Sequence, residues 1–149
     1  MALWQYTFII VPEVDSHELS SVVEKEADGT QVINDHKLWE EKRVATRDFD
    51  SLQKILPTGK SWRENLHVYG ELDSNCIQVT SENDLVDYMS ARIDFRTEYE
   101  NILAKIISFA EEKRLLILDE RLHILPNNAD KIKEVIEESP QVEKWGRLS

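Results

Sequence analysis

Three stretches between Asn65 and Phe95 carry the clearest extended pattern in the chain. Met89, Ala91, Ile93 and Phe95 alternate with Ser90, Arg92 and Asp94, which is the period of a strand with one buried and one wet face. Ile77 and Val79 alternate with Cys76, Gln78 and Thr80, and the polar run Ser81-Glu82-Asn83-Asp84 is suited to closing a hairpin between the two. Leu66, Val68 and Tyr69 end at Gly70, with a turn expected over Glu71-Leu72-Asp73-Ser74-Asn75. These three segments predict an antiparallel meander.

The flanks supply helices and further strands. Trp4 to Val11 is aromatic and β-branched and is stopped by Pro12, so it reads as a first strand. Ser16 to Val23 offers Ser16 as a cap and Leu19, Val22 and Val23 at helical spacing, and Asp28-Gly29-Thr30 reads as a turn. Asn34 to Arg43 has no clear period and predicts a loop or short helical turn anchored by Trp39. Thr46 to Ile55 predicts a short helix with Phe49, Leu52, Ile55 and Leu56 on one stripe.

Glu98 to Lys113 is the most regular helix, with Thr97 and Glu100 at capping-box spacing and Tyr99, Ile102, Leu103, Ile106 and Ala110 in the helical repeat. Leu115–Leu118 and Leu122–Leu125 read as paired strands around Asp119-Glu120-Arg121. A last helix is capped by Asn127 or Asn128 and runs to about Glu138, and the tail after Gln141 is expected to order only through Val142 and Trp145. The pattern predicts one α+β domain over residues 1–149, with helices packed on a mostly antiparallel sheet in which a three-stranded meander is central.

Charge changes the picture at the meander. The chain carries 29 acids against 18 bases, a formal net charge of −11. Between residues 71 and 100, Glu71, Asp73, Glu82, Asp84, Asp87, Asp94, Glu98 and Glu100 face Arg92 and Arg96, a net of −6 on about a fifth of the length. Such a balance argues against nucleic-acid binding and suits a basic protein partner. Turn carboxylates projecting from one end of a sheet steer an oppositely charged partner, which makes Glu71, Asp73, Glu82, Asp84 and Asp87 the candidate partner-binding set. Arg92 and Asp94 are expected to pair on the wet face of the third strand.

Catalytic and cofactor signatures are thin. His17, His36, His67 and His123 show no close ligand spacing, so neither a metal site nor a cofactor is expected. Cys76 has no second cysteine to bond and reads as a small buried residue. No nucleophile elbow, Walker loop or dinucleotide fingerprint is present, and the chain is read as a binding protein rather than an enzyme. The rival enzymatic reading places a site around His67, His123 and nearby carboxylates, and a third reading is a scaffold that dimerises through a sheet edge. The four tryptophans, Trp4, Trp39, Trp62 and Trp145, are read as packing anchors. The start of the chain lacks a charged and apolar leader and Tyr6 to Val11 is too short to span a bilayer, so a cytoplasmic location without membrane contact is expected.

Trp4-Gln5-Tyr6-Thr7, Lys60-Ser61-Trp62, Tyr69-Gly70 with Asp73-Ser74-Asn75, Arg92-Ile93-Asp94-Phe95-Arg96, and Leu116-Ile117-Leu118-Asp119 with Ile124-Leu125-Pro126 resemble, through most of the chain, a family of small bacterial proteins. In size, acidity and α+β make-up the chain is also similar to immunity proteins that neutralise polymorphic or contact-dependent toxins. That resemblance implies a cytoplasmic inhibitor that occludes a toxin domain, with no catalysis of its own, and it assigns no role to any numbered residue.

Overall fold

The structure is a computed structural model and describes residues 2–148. β1 (Gln5–Pro12) lies near the middle of the main sheet, where it pairs antiparallel with both β6 (Leu85–Asp94) and β7 (Leu115–Leu118). β6 pairs onward with β5 (Cys76–Glu82), β5 with β4 (Leu66–Gly70), and β7 with the short β8 (Ile124–Leu125). Among the described residues this gives a six-stranded antiparallel sheet in the order β4-β5-β6-β1-β7-β8, with the expected meander as its β4-β5-β6 half. The protein is α+β.

Alternation along the central strands separates two faces. Tyr6, Phe8 and Ile10, with Ile77, Val79, Met89, Ala91 and Ile93, form the floor of the larger core. The helix α3 (Glu100–Lys113) contributes Leu103, Ile106, Ile107, Phe109 and Ala110 to this core. Each large side chain so buried contributes about 2 kcal/mol. On the opposite face Ile9, Val11, Leu116 and Leu118 meet Leu19 from α1 (Ser16–Ser21), Val22 just after it, and Leu38 from α2 (His36–Lys42).

Several elements differ from expectation for local reasons. α1 stops at Ser21 because Val23 enters a small hairpin, β2 (Val23–Lys25) with β3 (Gln31–Ile33), that closes through the expected Asp28-Gly29 turn. Its cap is Asp15 rather than Ser16: the Asp15 carboxylate accepts from the Glu18 N–H. Thr46–Lys54 is a 3-10 helix, and Phe49, Leu52 and Ile55 recur every third residue, the period of that helix. The Thr97–Glu100 capping box does not form. Thr97 instead donates its hydroxyl to the Asp94 carbonyl and accepts from the Asn75 amide. Leu122 takes a left-handed φ of 65°, which delays β8 to Ile124. Asn128 caps α4 (Ala129–Glu137), and the tail forms α5 (Pro140–Leu148), whose Trp145 meets Trp4 edge-on at 5.8 Å.

The outer edge of the meander is closed by the segment after the 3-10 helix. Gly59 N–H donates to the Val68 carbonyl, and Gly70 N–H to that of Pro57. A Cβ on Gly59 would lie 2.2 Å from the Gly70 carbonyl oxygen, and Gly70 itself has a φ of 88°, so both positions require glycine.

Candidate functional site

The meander sends its two turns to opposite ends of the sheet. Glu71 and Asp73 lie in the β4–β5 turn, whereas Glu82, Asp84 and Asp87 lie at the β5–β6 turn. The intervening β5 has seven residues and spans about 20 Å. The five carboxylates therefore form two groups, not one surface.

The β4–β5 turn is pinned from within. Gln5, fully buried, donates its amide to the carbonyls of Leu72 and Ser74 at 2.9 and 2.6 Å, and the Trp4 indole N–H donates to the Asp73 carbonyl at 2.6 Å. Asn75 accepts from the Asp94 N–H at 2.7 Å. Asp94, expected to pair with Arg92 on a wet face, is 1% exposed and bound by Arg96. The cause is register: Asp94 stands opposite Gln5 at the end of β6, where the turn folds over both.

The Arg96 guanidinium grips both Asp94 oxygens, at 3.0 and 2.8 Å, and lies 4.0 Å over the Trp4 ring. Burial alone would raise the Asp94 carboxyl. Donation from the Arg96 side chain and backbone and from the Ser74 hydroxyl outweighs it and holds the carboxyl below its usual range.

The β5–β6 end is built differently. Asn83 and Asp84 both have positive φ, 53° and 63°, as a two-residue hairpin loop with matching twist requires. Thr80 pairs with Tyr88 and Ser81 with Val86, leaving Asp87 as the extra residue of a β-bulge. Its Oδ1 accepts from the Thr80 hydroxyl, and its Oδ2 stands 3.9 Å from His36 Nδ1. His36 opens α2, and its Nε2 is 3.8 Å from Glu40 one turn on. One ligand atom each from His36, Glu82 and Asp87 lie within 4.8 Å of one another. Together with Glu40 and Arg43 they line an open hollow of about 230 Å³.

Asp35 completes this end. It is 8% exposed, and its Oδ2 has no hydrogen-bond partner among the described residues. Burial pushes its carboxyl up to about 6, the Asp87 charge adding to the rise and His36 opposing it. Sequence reasoning singled out neither Asp35 nor Glu40 and read His36 as a histidine without ligand spacing, because Asn34 to Arg43 shows no clear period beyond a loop or short helical turn, and the bulge at Asp87 leaves no mark in the hydrophobic pattern.

The remaining candidates stay apart. β4 and β8 are the two outer strands of the sheet, so His67 in β4 and His123 just before β8 stand about 24 Å apart and share no pocket. His67 lies 3.4 Å from the Ser81 hydroxyl, and His123 is 3.4 Å from Asp119. Cys76 is buried, which raises its thiol. Trp39 is a core residue, whereas Trp62 is 65% exposed and anchors nothing in the core. Among the described residues no helix is long and apolar enough to cross a membrane. The chain matches no protein-family model, no curated protein and no solved structure.

Proposed function

We propose that this chain is a cytoplasmic, non-catalytic binding protein of immunity type that occludes a basic surface on a toxin or effector domain. The docking surface is the β5–β6 end of the sheet. The observation that carries this reading is the gathering of Glu40, Glu82 and Asp87 around one open hollow, with Arg43 as the basic residue in its lining and Asp84 exposed in the adjoining hairpin loop. At the opposite end the cation of Arg96 already stands beside Asp73, so that turn attracts a basic partner less. A patch of one sign steers association and fixes its orientation.

Homodimerisation through strand pairing receives less support, because Pro57–Gly59 covers β4 and β8 has two residues to offer. The test takes the basic product of a neighbouring reading frame as the probe. Glu40→Lys, Glu82→Lys and Asp84→Lys combined are expected to weaken binding at least about tenfold and to slow association most at low salt. Glu71→Lys with Asp73→Lys is expected to have a smaller effect. Equal binding by wild type and the first set removes the site.

A further inference from the structure

We propose that His36, Glu82 and Asp87 form a binding site for a divalent transition-metal cation of zinc-like chemistry. One imidazole and two carboxylates are the donor types such ions take, and Mg²⁺ or Ca²⁺ prefers oxygen alone. Ligand atoms around Zn²⁺ stand about 3.3 Å apart at bond lengths near 2.0–2.1 Å. The present separations of up to 4.8 Å close to that by side-chain rotation, since His36 and Glu82 are exposed and Asp87 is half-buried.

Three further features fit an ion at this point. The Thr80 hydroxyl holds Asp87 Oδ1 and leaves Oδ2 toward His36 Nδ1, so the second oxygen is presented while the first is fixed. Glu40 stands on the Nε2 side of the same ring, where a carboxylate receives the N–H of a metal-bound histidine and sets its tautomer. Independently of the cluster, Asp35, the residue before His36, keeps a buried Oδ2 without a partner among the described residues. A buried carboxylate oxygen left open is costly, and a positive charge held at the neighbouring His36 would offset part of that cost.

The site shares Glu82 and Asp87 with the docking surface, but its test uses the full chain without a partner, so the two readings fail separately. Zn²⁺ is titrated in competition with a chromophoric chelator, and Mg²⁺ and Ca²⁺ are titrated in parallel. One Zn²⁺ per chain is expected, bound at least about a hundredfold more tightly than Mg²⁺ or Ca²⁺. His36→Gln and Glu82→Gln are each expected to weaken it tenfold or more.

Asp84→Asn removes one charge from the same hairpin and His123→Ala removes the other histidine beside a carboxylate; each is expected to change affinity less than about threefold. His36 and Glu82 are exposed, so their variants fold, and circular dichroism with thermal melting verifies this. Absence of one-to-one binding, or equal losses in Asp84→Asn and His36→Gln, overturns the site.

Discussion

The two ends of the meander show two uses of the same residue types. At the β4–β5 end a buried aspartate, Asp94, is met by a guanidinium, a backbone N–H and a serine hydroxyl. At the β5–β6 end a buried aspartate, Asp35, keeps an oxygen without a hydrogen-bond partner among the described residues, and the His36 contacts at 3.8 and 3.9 Å are too long to be hydrogen bonds. A satisfied carboxylate stabilises the fold, whereas an unsatisfied buried one costs it stability. Acid count alone does not distinguish the two; the number of donors aimed at each oxygen does.

The largest expected effect breaks the satisfied end. Asp94→Asn places an amide N–H₂ against the Arg96 donors and leaves part of the network unmet, which is expected to cost about 3 kcal/mol in urea denaturation. A loss under about 1 kcal/mol would make the network decorative.

The same carboxyl gives a pH dependence. Its pKa is lowered on folding, so its contribution is fully present above the unfolded aspartate value of about 3.9 and is lost as pH falls below that toward the folded value. Between about pH 5 and pH 2.5 the wild type should lose stability more steeply than Asp94→Asn, and parallel curves would contradict the assignment.

Much of the β4–β5 end was legible in the sequence, because Gly70 and the polar run to Asn75 announce a turn between two alternating segments. What alternation misassigned was Asp94. Its position predicts a wet face, but burial there is set by a turn twenty residues away that folds over the strand end and by Gln5 of β1. The β5–β6 end was legible as a hairpin and as an acidic locus, yet a hairpin meander must alternate its ends, so Glu71 and Asp73 were never on the same surface as Glu82 and Asp84. The helix α2 was legible only as a loop or short helical turn, because its two buried residues, Leu38 and Trp39, are adjacent and face different cores, which erases the helical period.

The unsatisfied end yields the opposite sign. Asp35→Asn keeps the side-chain shape and removes a charge that burial disfavours, so it is expected to raise stability at neutral pH by about 1 kcal/mol, measured in metal-free buffer. A destabilisation comparable to that of Asp94→Asn would show that Asp35 has a partner in solution and would end the contrast between the two regions.

The smallest effect is expected at the exposed rim. Glu82→Gln and Asp84→Asn leave the fold's hydrogen bonds intact and remove like charges from one hairpin end, so each should change stability by no more than about 0.5 kcal/mol, in the stabilising direction and less so at high salt. Set beside Asp94→Asn, they ask whether charge that costs nothing to remove is held for a ligand. If Glu82→Gln alone lost more than about 1 kcal/mol, the residue would be part of the scaffold, and its proposed exposure to cation and partner would have to be given up.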